Sequence, residues 1–411
     1  MKEDIAKRIE KINNGIVPEG YKKTKVGIVP VEWDIARFDE IATRFDYGMN
    51  AAAKEYDGEN KYIRITDIDE DSHKYYNSNL VSPDCQLDDA YIVKENDILF
   101  ARTGASTGKT YLYNLSDGKM YFAGFLIRAN IKKEFNSFFV FCQTLTERYD
   151  NWVRVFSMRS GQPGINAQEF KTFDIVIPPL PEQQKIAEIL GAQDKLIELQ
   201  VRKIEQLQTL KKGYLQKMFP KKGCKYPELR FKGFTDAWEQ RELGDICEYH
   251  SSSLTAKDVY EDGSYDLYDA NSLIGKTNKG CMEKDYITII KDGAGVGRTR
   301  LLPKNSMFLG TMGALTPRNS DLDFLYQLIT KADLGKTYTG STIPHIYFKD
   351  YGKNIYCIPS CTEQQQIGSY FRNLDNLITL HQRKLDQEKQ KKKSLMQLLL
   401  TGKVRIIDGK K

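Results

Sequence analysis

The fold of this chain is decided by a stretch of sequence that occurs twice. Residues 177–186 read IPPLPEQQKI, and residues 358–367 read IPSCTEQQQI. With an offset of 181 positions, the two copies align without a gap from these stretches as far as residues 219 and 400. Ungapped similarity over this length is hard to obtain by chance. The chain is therefore predicted to contain two copies of one structural unit.

The repeat also extends upstream, with offsets that shift as loop insertions would make them. GASTGKT at residues 104–110 matches GAGVGRT at residues 293–299, and Phe122-Ala123-Gly124 matches Phe308-Leu309-Gly310. Each copy is predicted to consist of a mixed domain of strands and short helices, followed by one long helix.

Each repeated stretch opens a long helix in which apolar residues recur at intervals of three or four. Pro181 is tolerated in a first helical turn, Pro220 ends the first helix, and Gly402 ends the second. A helix with an apolar stripe must bury it, and the economical solution is that the two helices pack on each other. Antiparallel packing would relate the two copies by an approximate twofold axis and hold the mixed domains at opposite ends of a rigid spacer.

The mixed domains read mostly as strand and loop. Strands are predicted at residues 62–66, 97–101, 286–290 and 355–358, and short helices at 1–14, 138–149 and 322–331. The predicted fold class is α+β, with two mixed, strand-rich domains joined by two long helices that pack as an antiparallel coiled coil in an internal pseudo-twofold repeat. The predicted parts are an N-terminal helical extension at residues 1–20, a first mixed domain at 21–178, a central helix at 179–220, a second mixed domain at 221–358, and a distal helix with the C-terminal tail at 359–411.

Composition narrows the class of protein. Hydrophobic residues make up 40% of the 411 residues and aromatic residues 11%, which excludes wholesale disorder. The longest apolar run, residues 138–142, is far shorter than a membrane span, and the N-terminus lacks an apolar signal core. We therefore expect a soluble, cytoplasmic protein with no membrane partner.

The 7 scattered cysteines and only 4 histidines predict free thiols and no metal site.

Three patterns that could carry catalysis fail on inspection. GASTGKT at 104–110 has three residues between its glycines where a phosphate-binding P-loop needs four, and the second copy has Arg298 in place of the lysine. The glycine turn at 292–297 is similar to those of dinucleotide and S-adenosylmethionine sites, but a strand-like segment follows it. The nuclease-like carboxylate pattern at 57–61 is too short to be specific. The glycine stretches are read as tight turns between strands.

Basic and amide side chains in the loops of both mixed domains indicate DNA binding. Arginine and lysine contact phosphate or read guanine, and asparagine and glutamine read adenine. The net charge of +6 is weak support by itself. Because the two domains differ in sequence, a two-part DNA site with unlike halves is the resulting hypothesis. The candidate DNA-binding residues are Lys54, Arg64, Arg102, Thr103, Ser106, Lys109, Gln162, Asn166, Lys276, Lys291, Arg298, Thr299, Arg300, Ser341, Thr342 and His345. For each of them, a purely structural role in a turn is the alternative.

The paired Ile-Pro-x-x-x-Glu-Gln-x-x-Ile stretches, each followed by a long helix, resemble the specificity (S) subunit of Type I restriction–modification systems. PELRF at residues 227–231, TDAWE at 235–239 and TGSTIPHI at 339–346 support the resemblance, which covers nearly the whole chain apart from residues 1–20. The resemblance implies that the mixed domains are target recognition domains, each reading one half of a split DNA site, and that the helices are the conserved spacers.

The same resemblance implies the partners. The helices would set the half-site spacing on double-stranded DNA and dock two modification subunits, which carry S-adenosylmethionine and methylate adenine N6. Two restriction subunits, ATP-driven translocases with a nuclease and its Mg²⁺, would complete the complex. The chain itself would bind no cofactor and carry no catalysis. The residues assigned to the spacer helices and to partner docking are Glu182, Gln183, Ile186, Ile197, Ile204, Glu363, Gln364, Ile367, Ile378 and Leu385.

Two alternatives from other classes stay open at this point. One is a scaffold that joins proteins through the coiled coil and does not read DNA. The other is a stand-alone enzyme whose site the sequence does not reveal.

Overall fold

A computed structural model describes residues 2–76, 78–158, 161–221, 223–340 and 344–406. Its helices are α1 (Lys2–Asn13), α2 (Phe38–Ile41), α3 (Ser137–Gln143), α4 (Glu147–Phe156), α5 (Ala167–Phe170), α6 (Leu180–Lys217), α7 (Leu243–Ile246), α8 (Leu322–Ala332), α9 (Phe348–Tyr351) and α10 (Cys361–Leu399). The strands before α6 are β1 (Tyr21–Thr24), β2 (Gly27–Pro30), β3 (Asp34–Arg37), β4 (Ala42–Tyr47), β5 (Ala52–Glu55), β6 (Lys61–Ile63), β7 (Val81–Asp84), β8 (Asp97–Ala101), β9 (Thr110–Leu112), β10 (Met120–Phe122), β11 (Leu126–Ile131) and β12 (Asp174–Ile177). The strands after α6 are β13 (Glu239–Glu242), β14 (Cys247–Ser251), β15 (Tyr265–Tyr268), β16 (Leu273–Thr277), β17 (Tyr286–Ile290), β18 (Thr299–Leu302), β19 (Ser306–Phe308), β20 (Met312–Pro317) and β21 (Ile355–Ile358).

Both mixed domains are built on the same four-stranded antiparallel sheet. The strand order is β4-β11-β8-β9 in the first domain and β14-β20-β17-β18 in the second. Each domain adds a short parallel pair, β6 with β10 and β15 with β19. In each, a strand near the start of the domain also pairs with the strand that leads into the long helix, β3 with β12 and β13 with β21. The matching topologies confirm the predicted internal repeat.

The chain forms two compact units, and each long helix contributes to both. The first unit holds residues 1–198 and 386–411, and the second holds residues 199–385. The early part of α6 therefore shares a unit with the late part of α10, and the late part of α6 shares the other unit with the early part of α10. This arrangement is that of two antiparallel helices, which confirms the predicted antiparallel coiled coil.

The hydrophobic cores of the two units join the helices to the mixed domains. In the first unit, Ile186 of α6 and Leu399 of α10 belong to the same buried core as Trp33. In the second unit, Leu207 of α6 belongs to the same buried core as Phe371 of α10, together with Trp238, the repeat counterpart of Trp33. The apolar stripe of each helix is thus buried partly against its own mixed domain.

Two of the local predictions differ from the structure. The strand predicted at 62–66 ends at Ile63, because the guanidinium of Arg64 binds the carboxylate of Asp67 across a tight turn. The helix predicted at 138–149 is divided into α3 and α4, because the hydroxyl of Thr146 accepts the backbone N–H of Tyr149 and starts a new helix. The predicted strands at 97–101, 286–290 and 355–358 are confirmed. The limits of the five predicted parts stay a prediction.

Within the described ranges, none of the helices combines the length and the apolar character that crossing a membrane requires.

Candidate nucleic-acid interface

At one end of the first four-stranded sheet, three neighbouring strands bring together an arginine and two aromatic side chains. β4 ends at Tyr47, Arg102 directly follows β8, and Phe125 directly precedes β11. β11 lies between the other two strands and runs antiparallel to both, so these three strand ends meet. The backbone N–H of Arg102 donates to the carbonyl of Phe125 at 3.0 Å. We call Tyr47, Arg102 and Phe125 the first tip.

The guanidinium of Arg102 is held from one side. Its Nε donates to the carbonyl of Gly124 at 2.9 Å, and its Cζ lies 5.2 Å from the ring centroid of Tyr47 and 6.0 Å from that of Phe125. Tyr47 is 44% exposed, with its hydroxyl accepting the backbone N–H of Ala167, and Phe125 is 57% exposed. Cation–π contact of this kind fixes the plane of a guanidinium. The first tip therefore presents an oriented cation in contact with two exposed aromatic residues.

The second domain has the same backbone at this place and different side chains. Ser251 ends β14, Lys291 follows β17, and Thr311 precedes β20, and the N–H of Lys291 donates to the carbonyl of Thr311 at 3.0 Å. We call Ser251, Lys291 and Thr311 the second tip. No aromatic side chain stands at these three positions, so the second tip offers a lysine among small polar groups.

A carboxylate and a histidine accompany the lysine of the second tip. The Nζ of Lys291 lies 3.1 Å from Asp292 Oδ2, and the Nδ1 of His345 lies 2.7 Å from Asp292 Oδ1. Burial alone would raise the pKa of Asp292, but the hydrogen bonds from His345 and Lys291 outweigh it and lower the pKa below its usual value. Asp292 is thereby held as a carboxylate that orients both neighbours.

The tips are clamped to a second loop in both domains by equivalent backbone hydrogen bonds. In the first domain, Gly104 N donates to Pro163 O at 3.0 Å, and Ile165 N donates to Arg102 O at 2.9 Å. In the second, Gly293 N donates to Pro344 O at 3.0 Å, and Ile346 N donates to Lys291 O at 3.0 Å. This pairing places Gln162 beside the first tip and His345 beside the second. The two domains therefore share these backbone hydrogen bonds, but they differ in the side chains at the tips.

The glycine-rich stretches are tight turns between antiparallel strands, as predicted. The turn at 104–108 joins β8 to β9, and the turn at 293–297 joins β17 to β18. The backbone φ of Gly297 is +83°, and a Cβ there would lie 2.1 Å from the backbone nitrogen of Gly335. Only glycine fits this position. Neither turn opens a helix, so neither has the geometry of a P-loop.

Lys109 and Arg298 occupy equivalent positions and brace their own domains. The Nζ of Lys109 donates to the carbonyl of Ile68 at 3.1 Å, and its side chain is 11% exposed. Arg298 donates to the carbonyl of Ala270 at 2.7 Å. The two carbonyls lie in the segments that follow the equivalent strands β6 and β15. The alternative of a purely structural role therefore has direct support at both positions.

Several other candidate residues are also engaged within the protein. Arg64 forms a two-point contact with Asp67, which raises the pKa of Arg64 chiefly through those hydrogen bonds. Thr299 shares a hydrogen bond of 2.9 Å with Thr330 on α8, and Arg300 lies over the ring of Tyr268. Each of these side chains is thus held by a contact within its own domain.

The remaining candidates lie at turns, caps and exposed strand positions. Asn166 caps α5, where its side chain accepts the N–H of Glu169. Thr103 and Ser106 belong to the turn after β8. Lys54 on β5 and Lys276 on β16 are exposed and lie on strands outside the four-stranded sheets. Ser341 and Thr342 lie outside the described residues. Which of the candidates contact DNA stays a prediction.

The glutamates of the two repeated stretches are buried anchors. Glu182 accepts hydrogen bonds from the indole of Trp33 at 3.0 Å and from Arg405 at 3.0 and 2.9 Å. Glu363 accepts two hydrogen bonds of 2.7 Å from Arg230. Both glutamates are almost fully buried. Glu182 therefore fastens the start of α6 to the first mixed domain through Trp33 and to the C-terminal tail through Arg405. Glu363 fastens the start of α10 to the second mixed domain through Arg230.

The glutamines that follow these glutamates have one role in both copies. Gln183 donates to the carbonyl of Pro178 and accepts the N–H of Asn136, the residue that caps α3. Gln364 donates to the carbonyl of Pro359 and accepts the N–H of Asp321, which caps α8. Ile186, Ile204, Ile367 and Leu385 are also buried, and Ile197 and Ile378 are half-buried. These residues thus lie within the protein, and their part in partner docking stays a prediction.

Sequence reasoning missed Tyr47, Phe125, Arg230 and Arg405. The two arginines lie in the stretches PELRF and KVRI, each a short distance beyond the end of a long helix, which is the signal that could have found them. Nothing in the local sequence distinguishes Tyr47 or Phe125 from a core aromatic residue. Across the described part of the chain, no group of three or more histidine, cysteine, aspartate or glutamate side chains has the geometry to hold a metal ion.

Sequence comparison identifies the class of protein to which this architecture belongs. The family described as "Type I restriction modification DNA specificity domain" matches residues 30–209 and again residues 235–390. The two matches cover both mixed domains and most of both long helices. The chain therefore belongs to the family of type I restriction–modification DNA specificity proteins.

Individual relatives agree with this family, and solved structures share the fold. The chain is 24% identical to the type I restriction enzyme MjaVIII specificity subunit of Methanocaldococcus jannaschii, with 94% of this chain and 96% of the relative covered. It is also 24% identical to the putative MjaX specificity subunit of the same organism, with 94% and 97% covered. The fold is similar to that of the type I restriction–modification S subunit of M. genitalium, with a TM-score of 0.61, 18% identity, and 92% and 97% covered. A chain of another type I restriction–modification system matches with a TM-score of 0.52, 15% identity, and 92% and 99% covered.

Proposed function

We propose that this chain is the subunit of a type I restriction–modification complex that selects the DNA sequence, and that each mixed domain reads one half of a bipartite, asymmetric site. The observation that carries the proposal is the pair of tips. An equivalent backbone frame, clamped by matching hydrogen bonds, presents Tyr47, Arg102 and Phe125 in one domain and Ser251, Lys291 and Thr311 in the other. A rigid frame with variable side chains is how one fold reads unlike sequences.

The chain acts without catalysis of its own. Two modification subunits supply S-adenosylmethionine and methylate adenine N6, and two restriction subunits supply ATP-driven translocation and a Mg²⁺-dependent nuclease. The glycine turns that resemble nucleotide-binding loops support this division, because each joins two antiparallel strands and opens no helix. Because the modification subunits would methylate the DNA of the host, we place the complex in the cytoplasm.

Two pairs of exposed leucines support the docking of two modification subunits on the long helices. Leu377 and Leu380 of α10 are 43% and 46% exposed, and their repeat counterparts on α6, Leu196 and Leu199, are 44% and 50% exposed. Leucines three positions apart lie on one face of a helix, and an apolar patch of this kind is typical of a protein contact. Because the patch occurs once in each copy of the repeat, it provides two equivalent docking surfaces.

The test is the methylation pattern that the chain directs. The chain is co-expressed with the modification subunit encoded beside it, and the host DNA is sequenced for N6-methyladenine. A single split motif that appears only when both proteins are present supports the proposal. Soluble, associated proteins that produce no motif contradict it.

Two further measurements separate this proposal from its alternatives. A DNA-reading subunit binds DNA with an affinity that falls steeply as salt rises, because phosphate contacts release counterions. A scaffold that does not read DNA would show no such dependence, and the family assignment does not favour it. Methylation or cleavage by the purified chain alone would instead indicate a stand-alone enzyme.

A further inference from the structure

The first tip is built to present one edge of a guanidinium. The Nε of Arg102 donates to the carbonyl of Gly124, and the cation lies within 5.2 Å of the ring centroid of Tyr47 and 6.0 Å of that of Phe125. Among the hydrogen bonds of the described residues, none involves the two terminal nitrogens of Arg102. These nitrogens form the planar fork that can donate two parallel hydrogen bonds to one acceptor pair.

The exposure of Phe125 indicates which part of DNA the fork meets. Phe125 is 57% exposed at the end of a sheet, next to the cation. If this cation bound a phosphate, the phenylalanine would have nothing to pack against, because phosphate offers no apolar surface. The floor of the major groove offers both partners, namely the O6 and N7 acceptors of guanine and the methyl group of thymine. A base edge therefore fits the first tip better than the DNA backbone does.

The repeat supplies an internal comparison. At the equivalent place, the second tip has a lysine, and Ser251 and Thr311 stand where the two rings are in the first. Lysine is a point charge without a fork, and its neighbours cannot fix a plane. The rings and the arginine therefore occur together at three positions of one domain, and all three are replaced at the equivalent positions of the other, as expected if they form one recognition element.

Building on the proposed function, we infer that Arg102 reads a guanine in the half-site of the first domain, and that Tyr47 and Phe125 position its guanidinium. Arg102 is then a residue that determines specificity. The two aromatic residues act through it, and Phe125 additionally covers the edge of the neighbouring base.

The experiment compares the methylation motifs of variants in the complete complex. Arg102→Lys keeps the charge and loses the fork, so discrimination for guanine at one position of one half-site should fall about 10- to 100-fold. The other half-site should not change. Phe125→Ala should relax the same position to a smaller extent, and Phe125→Tyr should restore it. Arg37→Ala is the matched control, because it removes one exposed positive charge from the same domain, outside the tip, and should leave the motif intact.

Three results would overturn the inference while leaving the proposed function in place. One is an unchanged motif for both Arg102→Lys and Arg102→Ala. Another is a half-site of the first domain that contains no guanine on either strand. The third is an even loss of affinity for all sequences in Arg102→Ala, with a shallower salt dependence, which is the behaviour of a phosphate contact. If Arg102→Ala does not fold, Arg102→Lys alone decides. A wild-type chain that directs no split motif would count against the proposed function itself.

Discussion

Asp194 Oδ1 on α6 lies 2.6 Å from Lys392 Nζ on α10. Asp375 and Lys211, which are the repeat counterparts of these two residues, also lie 2.6 Å apart. The aspartate of each copy thus binds the lysine of the other copy. Only antiparallel helices in one register allow a repeated sequence to form the same ion pair twice. A further contact between equivalent positions, Gln200 with His381 at 2.8 Å, belongs to the same register.

The ion pair between Asp194 and Lys392 is predicted to contribute measurably to stability. Both side chains are mostly buried, at 28% and 20% exposed, so their attraction is screened less than at the surface. Asp194→Ala should lower the free energy of unfolding by about 1–2 kcal/mol, and a double-mutant cycle with Lys392→Ala should give a coupling of about 1 kcal/mol. The exposed pair Arg241 and Glu239 is the control and should couple by less than about 0.5 kcal/mol. Strictly additive effects at Asp194 and Lys392 would contradict the prediction.

Arg230 is predicted to be more important for stability than Arg405. Removing Arg230 leaves the buried carboxylate of Glu363 without its two hydrogen bonds, which should cost about 3 kcal/mol. Arg405→Ala should cost less, because Glu182 keeps the indole N–H of Trp33. Chemical denaturation checks the order, and hydrogen exchange at the start of α10 locates the loss. Glu363→Gln in the Arg230→Ala background should recover part of the stability, since it removes the unpaired charge. Equal effects of the two arginine variants would be inconsistent with these contacts.

The exposed leucines are predicted to be needed for partner binding and not for folding. Leu377→Glu combined with Leu380→Glu should leave thermal stability nearly unchanged, because both side chains are more than two-fifths exposed. The same variant should bind one modification subunit in place of two, as measured by analytical ultracentrifugation. Thr379→Glu, at an exposed position on the same helix but off the face of the two leucines, is the control for added charge. If the leucine variant still bound two modification subunits, Leu377 and Leu380 would not be part of a docking surface.

The two mixed domains are predicted to behave as separable modules. Replacing residues 21–176 with the corresponding domain of another family member should change one half-site and leave the other. An insertion of a few residues near Gln206 should change the spacing between the half-sites and neither half-site itself. The readout is again the N6-methyladenine motif. A domain exchange that altered both half-sites would show that the domains do not read DNA independently.

Secondary structure could be predicted from the sequence wherever the spacing of apolar residues along the chain directly gives their arrangement in a helix or strand. The long helices could be predicted, because residues three or four apart share a face of a helix whatever surrounds it. β8 and β17 could be predicted, because short apolar runs between turn residues are typical of strands buried on both faces. β21 could be predicted from its β-branched and aromatic residues, although Ile355 at its start is exposed. The division between α3 and α4 could not, because one hydroxyl, that of Thr146, decides it.

The roles of the candidate DNA-binding residues could not be predicted in this way. In sequence, Arg102 and Lys109 are two similar cations in one glycine-rich loop. The fold separates them, because Lys109 meets a carbonyl supplied by the segment after β6, whereas Arg102 meets rings supplied by β4 and by the turn before β11. Those partners are many positions away in the sequence, and only the order of strands in the sheet brings them near.

The sequence by itself therefore determined the repeat, the two long helices and the class of protein, since these depend on periodicity and on motifs that stay adjacent in the chain. The tertiary structure alone decided which cations are committed to the interior and which are presented at the tips. It also decided that Glu182 and Glu363 are anchors held by Arg405 and Arg230. The physical reason is that a hydrogen bond or ring contact depends on distances of a few ångströms, and those distances are set by strand pairing between segments far apart in the chain.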